Sequence, residues 1–342
     1  MDLPKTIKQA VFKELGGPLV IETVPLQMPS DGEILVRVEA CGVCHSDIFG
    51  QYNVFGGGFP VVPGHEIIGS VAALGPGVTG WRVDERIGGA WHGGHDGNCA
   101  RCKSGYPQLC EPLVVNGVTK NGGYSEYCLL RSNAAVKVSS GVDAVKQAPM
   151  LCAGSTVFGA LKSAGLKAGE TVAVQGLGGL GHMAVQFARR MGYRVIAISR
   201  GRDKEISTRE LGAHEYIDST EGDAGDALRK LGLAKLVLTT AMDTSAMVPL
   251  IKGIDVMGKL LILSLPESGA MQIDTNQLLT GGGISVQSWP VGNNVDGEKT
   301  LEFAQIQGLD CAVETFPLDR AQEAFDAMLS GKVRYRAVIT MG

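Results

Sequence analysis

The stretch TVAVQGLGGLGHMAVQFARRMGYRVIAIS, residues 171–199, decides the fold of this chain. It opens with an apolar run typical of a buried strand (171–176), passes through a group of glycines, and continues with a helical pattern (182–192). A second apolar run (194–199) completes a strand–helix–strand unit. Buried strands that alternate with helices predict a parallel sheet covered on both faces.

The glycines of this stretch, GLGGLG (176–181), match the pattern G-x-G-x-x-G. In a dinucleotide-binding loop the first glycine makes a tight turn, the second lets a pyrophosphate approach the backbone, and the third allows close helix–strand packing. A glycine-rich turn without a ligand is the alternative, but the strand before the motif and the helix after it favour dinucleotide binding. The residues expected to contact the cofactor here are Gly176, Gly178, Gly179, Leu180 and Gly181.

The end of the second strand predicts which dinucleotide binds. NAD sites place an acidic side chain about 20 residues beyond the glycine loop, where it holds the ribose hydroxyls. This chain has Ser199 and Arg200 there, with Arg202 and Lys204 shortly after them. A hydroxyl and a guanidinium bind a 2′-phosphate, which a carboxylate would repel. We therefore expect NADP(H) in preference to NAD(H), with a solvated basic loop as the alternative.

Two domains are expected, because 342 residues exceed what one core usually supports. The first 150 residues consist of short β-type runs separated by glycine and proline, whereas strands alternate with helices beyond that point. The prediction is an α/β fold with a doubly wound, six-stranded parallel sheet of the Rossmann type in residues 151–289. Residues 1–150 together with 290–342 are predicted to form a second, β-rich domain.

Composition excludes several classes of function. The net charge of −4 and the lack of a lysine/arginine block exclude a nucleic-acid partner. No apolar run is long enough to span a bilayer, and the N-terminus lacks the apolar core of a signal peptide, so we expect a cytoplasmic protein without a membrane partner. Eight cysteines in such a chain favour metal ligation over disulfides.

Three short motifs give the chain a family resemblance: CGVCHSD (41–47), GHEIIG (64–69) and LCAG (151–154). Residues 64–78 match the signature G-H-E-x-x-G-x5-G-x2-V in full. The chain resembles, over essentially its whole length, the zinc-dependent medium-chain alcohol dehydrogenases, and most of all the branch of yeast-type and cinnamyl-alcohol-type enzymes. The resemblance implies that the β-rich domain is a GroES-like catalytic domain.

The resemblance implies a catalytic zinc held by Cys44, His65 and Cys152, with Glu66 able to serve as a fourth ligand. Two thiolates and an imidazole leave one tetrahedral position open, as catalytic zinc sites do. Asp47 is expected to accept the other ring N–H of His65 and so to fix its tautomer. Buried, inert cysteines are the alternative.

A second, structural zinc is implied by HDGNCARCKSGYPQLC (95–110), which would bring the content to two per chain. Asp96 stands where the family has the first of its four cysteine ligands, and a carboxylate is a legitimate zinc ligand. The neighbouring His95 is the rival fourth ligand, and a loop of loosely held thiols is the alternative. The family's other three ligands are matched by Cys99, Cys102 and Cys110. The cysteines that fit neither site, predicted to be packing residues, are Cys41, Cys128 and Cys311.

The chemistry implied by the resemblance is reversible oxidoreduction between an alcohol and a carbonyl compound, in which zinc polarises the substrate oxygen and nicotinamide carries the hydride. Ser46 matches the hydroxyl residue that contacts this oxygen and starts a proton relay. Phe49 occupies the place where many members have a histidine that completes the relay, so the proton must leave through the ribose hydroxyl and water, or by another group. His45 and Arg336 match residues that face the pyrophosphate, with a surface salt bridge as the alternative for Arg336.

Aromatic side chains are predicted to wall the substrate pocket, with plain core packing as the alternative for each: Phe49, Tyr52, Phe55, Trp91 and Trp289. An aromatic wall favours an apolar or aryl aldehyde over a polyol, which needs several polar partners.

The leading hypothesis is an NADP(H)-preferring zinc alcohol dehydrogenase that works as an aldehyde reductase on a small-molecule alcohol/aldehyde pair. The alternatives are NAD-dependent alcohol oxidation on the same scaffold and a catalytically silent metal-binding relative. A zinc-free quinone or enone reductase is disfavoured, because that branch lacks the metal residues present here. By resemblance we expect a homodimer or a homotetramer.

Overall fold

The computed structural model describes residues 3–266 and 269–342, and the chain divides into two compact units. The first unit contains the chain up to Ser155 together with Val291–Gly342, and the second is Thr156–Pro290. The sequence placed these boundaries after residues 150 and 289. None of the described helices is long and apolar enough to cross a bilayer.

Short strands dominate the first unit before residue 155. They are β1 (Thr6–Phe12), β2 (Leu19–Pro25), β3 (Glu33–Val43), β4 (Ile67–Leu74), β5 (Arg86–Gly89), β6 (His92–Gly94), β7 (Val114–Val115), β8 (Tyr127–Arg131) and β9 (Val136–Lys137). The helices that follow or interrupt them are α1 (Ile48–Gln51), α2 (Ala100–Lys103), α3 (Ala144–Gln147) and α4 (Ala153–Ser163).

Strands and helices alternate in the second unit. The strands are β10 (Thr171–Gln175), β11 (Arg194–Ser199), β12 (Glu215–Asp218), β13 (Ala234–Thr239), β14 (Ile254–Ile262) and β15 (Ser285–Ser288). The helices are α5 (Gly179–Arg190), α6 (Glu205–Glu210), α7 (Ala224–Lys230) and α8 (Thr275–Thr280).

The C-terminal tail belongs to the first unit. It contains α9 (Asn294–Gln307), β16 (Val313–Pro317), α10 (Ala321–Leu329) and β17 (Arg336–Thr340). The sequence pattern predicts a helix around Lys299–Gln307, but α9 starts earlier, at Asn294. Asn293 and Asp296 form a capping box there, in which each side chain accepts the other's backbone N–H. Along the whole described chain, 3₁₀ turns lie at His45–Asp47, Pro107–Leu109, Ala148–Leu151, Thr244–Ala246, Val248–Gly253 and Leu318–Arg320.

The sheet of the second unit is parallel throughout, in the order β12-β11-β10-β13-β14-β15. The strand order reverses at β10, whose neighbours β11 and β13 lead the chain away on opposite sides. In open α/β sheets this switch point is where ligands bind. Over residues 3–266 and 269–342, the six-stranded parallel sheet and the separate β-rich unit confirm the predicted fold class.

The main sheet of the first unit has the order β16-β17-β3-β4-β5-β9, and β8 also pairs with β3. Only β16 and β17 pair in parallel among its described strands; the others are antiparallel. Strand β3 therefore lies in the middle of the sheet and ends at Val43, directly before the first predicted metal ligand.

Two strands begin at positions that differ from the prediction. The apolar run YSEYCLL (124–130) predicts a strand, but β8 begins only at Tyr127. Ahead of it, Ser125 forms an isolated bridge with Gln9 of β1, and the Tyr124 N–H donates to the carbonyl of Pro63. The apolar run KLLILSL (259–265) predicts a strand from residue 259, but β14 begins earlier, at Ile254, and its pairing with β13 contains a register shift.

Each unit has its own apolar core. In the first unit Phe12 and Phe325 pack edge to face with ring centroids 5.5 Å apart. In the second, fully buried side chains such as Ile196, Val237 and Leu260 come from β11, β13 and β14 of the parallel sheet. Burial of each such side chain contributes about 1.5–3 kcal/mol relative to exposure.

Candidate active site

A cluster of four potential metal ligands forms within the first unit: Cys44, His65, Glu66 and Cys152. One ligand atom from each lies within 4.8 Å of the others, and the two sulfurs are 3.9 Å apart. Cys44 follows β3, His65 and Glu66 precede β4, and Cys152 precedes α4. The structure thus brings together side chains that are far apart in the chain, at one end of the sheet.

The backbone around the cluster is shaped by glycines. Any Cβ at Gly42 would overlap with the Glu66 carboxylate, so only glycine lets that side chain lie against β3. Gly64 has φ +101°, a conformation that L side chains rarely adopt, and it turns the chain just before His65. These two positions explain why the motif residues can converge.

Asp47 orients the imidazole of His65. Its Oδ1 lies 3.0 Å from His65 Nδ1, and its Oδ2 accepts the backbone N–H of Cys44 at 2.9 Å. Oδ2 also accepts the hydroxyl of Tyr124 at 2.7 Å. The predicted contact between Asp47 and His65 is therefore present. It engages Nδ1 of His65 and leaves Nε2 available to bind a metal.

Arg336 has a partner that the sequence did not indicate. Its guanidinium pairs with Glu66 Oε1, and its side chain is only 5% exposed. It is therefore not the surface salt bridge that was considered as the alternative. The pyrophosphate contact expected from the resemblance stays a prediction.

The groups of the cluster have pKa values shifted in opposite directions, so that protons are redistributed among them. Donation by the Cys152 thiol lowers the pKa of Cys44 well below its usual value, while that of Cys152 is raised well above it. Burial alone would lower the pKa of His65, but the charges of Asp47 and Cys44 outweigh burial and raise it well above the usual value. Burial raises the pKa of Glu66 to about 7, although Arg336 opposes this.

The donor set fits a zinc ion. His65 Nε2 and Glu66 Oε2 are buried and have no hydrogen-bond partner within the described residues, although buried polar atoms are normally paired. Two sulfurs and an imidazole nitrogen are ligands that zinc prefers, and a carboxylate oxygen can complete a tetrahedron. A cation would satisfy both orphaned atoms and take the place of the protons on His65 and the cysteines.

An aromatic group lies on one side of His65. Trp91 stands edge-on to the imidazole, with centroids 5.1 Å apart, and it packs against Phe49 at 6.1 Å and Phe55 at 6.2 Å. Phe49 and Phe55 also contact each other, at 5.6 Å. Of the predicted pocket walls in the first unit, Tyr52 is 55% exposed and, among the described residues, makes no ring contact with this group.

Two predicted site residues lie in the 3₁₀ turn that follows Cys44. Ser46 is half-buried and His45 is exposed. Trp289 lies in the second unit, where its indole packs against Gly159 of α4. Their expected contacts with substrate and cofactor stay predictions.

A second cluster forms in the lobe between β6 and β7, from Asp96, Cys99, Cys102 and Cys110. Cys99 and Cys110 have their sulfurs 3.8 Å apart, and the Cys110 sulfur accepts the Asp96 N–H at 3.4 Å. The Asp96 carboxylate accepts the N–H groups of Asn98 and Cys99 through Oδ1, which lowers its pKa to about 2. These sulfurs and the ionised carboxylate form an Asp/Cys3 donor set suited to zinc.

The rival ligand His95 points elsewhere. Its Nδ1 lies 3.1 Å from His92 Nε2, and the two rings stack with centroids 5.0 Å apart. His95 is not part of the group of ligand atoms within 4.8 Å of one another. The geometry therefore favours Asp96 as the fourth member of the lobe cluster.

The glycine loop of the second unit has the conformation that its motif predicts. Gly176 has φ +87°, and a Cβ at Gly181 would overlap with the Gly176 carbonyl oxygen. Gly178 precedes α5, and a Cβ there would meet nothing within 4 Å. Gly179 and Leu180 form the first turn of α5, whose N–H groups can receive a phosphate.

The basic residues after β11 differ in whether they form ion pairs with neighbouring acidic side chains. Arg202 pairs with Glu221 at 2.8 Å and with Glu205 at 2.9 Å, whereas Arg200 is exposed and forms no ion pair with any described residue. Lys204 is also exposed. Of this group, Arg200 is the guanidinium that is free to meet a phosphate.

An acidic residue of the neighbouring strand lies beside Ser199, although β11 itself does not end in one. Ser199 pairs in register with Asp218 of β12. Asp218 Oδ1 accepts the N–H of Gly201 at 2.8 Å and both donors of Thr220. This carboxylate lies near the place where an NAD site has its acidic residue.

Sequence reasoning missed Tyr124 and the pairing of Arg336 with Glu66. Tyr124 is 77 residues from Asp47, and Arg336 is 270 residues from Glu66. The only available signal was indirect: a buried aspartate needs donors for both oxygens, which predicts a partner for Asp47 but not its identity.

Comparisons with known proteins give the following matches. The model of the alcohol dehydrogenase GroES-like domain matches residues 30–140, and that of the zinc-binding dehydrogenase matches residues 179–306. Alcohol dehydrogenase notN of Aspergillus sp. (strain MF297-2) is 57% identical over 341 residues, which cover 100% of both chains. Alcohol dehydrogenase patD of Penicillium expansum is 56% identical, over 99% of this chain and 98% of that protein.

Solved structures resemble the chain over its full length. A cinnamyl alcohol dehydrogenase (SbCAD4) from Sorghum bicolor has a TM-score of 0.87 at 29% identity and covers 98% of each chain. Acetophenone reductase from Geotrichum candidum, in complex with NAD, has a TM-score of 0.85 at 29% identity, over 99% of this chain and 98% of that one.

Proposed function

Since this chain belongs to the zinc-dependent medium-chain alcohol dehydrogenases, whose members interconvert alcohols and carbonyl compounds, we propose that it is a zinc-dependent, NADP(H)-preferring aldehyde reductase. The observation that carries the proposal is the largely buried group of Cys44, His65, Glu66 and Cys152, with its orphaned nitrogen and oxygen. Such a donor set beside an aromatic wall suits a metal that acts on a bound substrate.

The proposed roles of the residues follow from this cluster. Cys44, His65 and Cys152 would hold zinc, with Glu66 as the fourth ligand when substrate is absent. A zinc ion there would supply a Lewis acid for the substrate oxygen, and a nicotinamide would supply or accept the hydride. The aromatic group of Phe49, Phe55 and Trp91 would exclude water and favour apolar or aryl carbonyl compounds.

Ser46 is proposed to exchange the proton with the substrate oxygen. Phe49 has no proton to pass on, so the path continues through the ribose hydroxyl and water. We expect a pH–rate profile without the ionisation of a relay histidine. Phe49→His should add an ionisation near the usual histidine pKa of about 6.5 to kcat. An unchanged profile in this variant would contradict the relay assignment.

The exposed Arg200 beside Ser199 supports NADP(H). Asp218, paired in register with Ser199, favours the second candidate, NAD-dependent alcohol oxidation. In the double variant Ser199→Asp/Arg200→Gly, we expect the ratio of kcat/KM for NADPH over NADH to fall by about 10- to 100-fold, because hydrogen bonds to a charged phosphate are lost. A ratio that already favours NADH in the unmodified protein would select the second candidate.

The metal dependence is tested with Cys44→Ser, and with Cys128→Ala as a matched control. Cys128 is buried but lies in neither cluster. We expect Cys44→Ser to lose about one zinc per chain and its aldehyde reductase activity, and the control to keep both. Full activity of Cys44→Ser would overturn the proposal. If the unmodified protein retains zinc but converts no compound of a broad carbonyl panel, the result would instead point to a silent metal-binding relative.

We also propose a cytoplasmic homodimer or homotetramer with a second zinc in the Asp96 lobe. The location rests on cysteine use, since reducing compartments keep thiols available for metals. The oligomeric state rests on the family resemblance. Light scattering of the purified protein tests the oligomeric state, and zinc analysis tests the second zinc.

A further inference from the structure

The carboxylate of Asp47 is held from several sides. Oδ1 lies 3.0 Å from His65 Nδ1, while Oδ2 accepts the hydroxyl of Tyr124 at 2.7 Å and the N–H of Cys44 at 2.9 Å. Asp47, His65 and Tyr124 are each 0% exposed. A carboxylate so enclosed has its rotation set by the donors to its two oxygens, since solvent does not reach it.

Tyr124 is itself fixed to the segment that carries His65. Its N–H donates to Pro63 at 3.0 Å, and the N–H of Gly123 donates to Gly64 at 2.9 Å. The ring lies so close to Gly64 that a Cβ there would be 2.5 Å from the ring carbon Cδ1. The hydroxyl of Tyr124 is therefore placed relative to the His65 backbone by both hydrogen bonds and packing.

The geometry points to Tyr124 as a positioning residue of the metal centre. We propose that its hydroxyl holds Asp47 in the orientation that presents Oδ1 to His65, and that Asp47 in turn holds the imidazole with Nε2 towards Cys44 and Cys152. Tyr124 acts through Asp47 and touches neither substrate nor ligand sulfur. This inference rests on the proposed function, because it requires that the cluster binds zinc.

The hydroxyl is the part of Tyr124 that matters for this role. Burial, reinforced by the charge of Asp47, raises the pKa of Tyr124 well above its usual value, so the hydroxyl stays a donor at all working pH values. In Tyr124→Phe the ring still fills the space against Gly64, but Oδ2 keeps only the N–H of Cys44. Asp47 is then free to turn away from His65, and the imidazole loses its support.

The experiment measures how fast the zinc-loaded, full-length protein releases zinc to a chromophoric chelator. The release phase that is missing in Cys44→Ser identifies the zinc of this cluster. Outer partners of a metal-bound histidine typically change metal affinity by about 10- to 100-fold. We expect Asp47→Asn to release zinc about 10- to 100-fold faster, and Tyr124→Phe about 10-fold faster. Tyr193→Phe, a buried tyrosine of the second unit, is the matched control and should not change the rate.

The double variant Asp47→Asn/Tyr124→Phe separates positioning from general stability. If Tyr124 acts through Asp47, the double variant releases zinc no faster than Asp47→Asn alone. Multiplied rate increases, or a Tyr124→Phe that melts earlier but releases zinc at the normal rate, would overturn the inference while leaving the proposed function intact. A protein that holds no zinc at this cluster before any substitution would overturn both.

Discussion

At the residue scale, the absence of a side chain at Gly42 decides where Glu66 can lie. A Cβ at this position would overlap with the Glu66 carboxylate, which pairs with the buried Arg336. We expect Gly42→Ala to break the pair and destabilise the first unit by roughly 3–5 kcal/mol, the usual cost of leaving a buried charge unpaired. Thermal unfolding measures this. Gly178→Ala, whose Cβ meets nothing within 4 Å, should leave the melting temperature unchanged.

His92 predicts a pH dependence of stability. Burial, helped by the charge of the neighbouring His95, lowers the pKa of His92 to about 4. In the unfolded chain His92 binds a proton near pH 6.5. As the pH is lowered from about 6.5 to about 4, proton binding therefore favours the unfolded chain, and the stability of the folded protein decreases. The contribution present above pH 6.5 is reduced by about 2 kcal/mol at pH 5.

His92→Gln removes this titration. Urea unfolding at pH 8 and pH 5 should show a smaller acid destabilisation in His92→Gln than in the unmodified protein, by about 2 kcal/mol. An equal loss of stability in both proteins would show that His92 is not protonated on unfolding in this range.

Residues that carry chemistry by themselves were predictable from the sequence, whereas their partners were not. Cys44, His65 and Cys152 stand in motifs whose family resemblance implies a metal. Tyr124 and Arg336 acquire their meaning only from contacts made across long separations, which the folded sheet creates and no local spacing records.

At the element scale, the glycine loop between β10 and α5 allows two of its positions to be tested against each other. A Cβ at Gly181 would overlap with the Gly176 carbonyl oxygen, so Gly181→Ala must shift the loop and should destabilise the second unit by roughly 1–3 kcal/mol. Gly178→Ala has open space in the protein and should unfold normally. If the pyrophosphate lies against this loop, Gly178→Ala should still bind the dinucleotide at least about 10-fold more weakly. Normal affinity in Gly178→Ala, measured by calorimetry, would argue against that placement.

The lobe between β6 and β7 gives a prediction about whether Asp96 binds zinc. Asp96 occupies the position of a fourth thiolate, and oxygen is a weaker partner for zinc than sulfur in such sites. We expect Asp96→Cys to retain the lobe zinc longer against a chelator, and Asp96→Ala to lose it. Equal retention by Asp96→Ala and the unmodified protein would show that the carboxylate is not a ligand.

Elements with strong periodicity were predictable, and those that depend on distant backbone were not. The strands and helix of residues 171–199 follow from their apolar pattern. The late start of β8 could not be predicted, because Ser125 bridges to Gln9 of β1 and the Tyr124 N–H bonds to Pro63, contacts that depend on the tertiary fold.

At the scale of the whole molecule, the two units divide the proposed chemistry. The first unit contains the candidate metal ligands and the aromatic group beside them, and the second contains the glycine loop at the switch point of its parallel sheet. In the proposed reaction the first unit would hold the substrate and the second would hold the nicotinamide, so each unit's site would be needed. The fold class followed from the sequence because each unit has its own pattern, β-rich in one and alternating in the other.

The central claim is that zinc at the Cys44 cluster supports hydride transfer from a nicotinamide cofactor to an aldehyde. The most direct measurement is NADPH and NADH oxidation in parallel on aliphatic and aryl aldehydes, with zinc analysed in the same sample before and after removal by a chelator. We predict about two zincs per chain, a preference for NADPH, loss of activity with the cluster zinc, and recovery when zinc is restored. Undiminished aldehyde reduction by the metal-free protein would contradict the account.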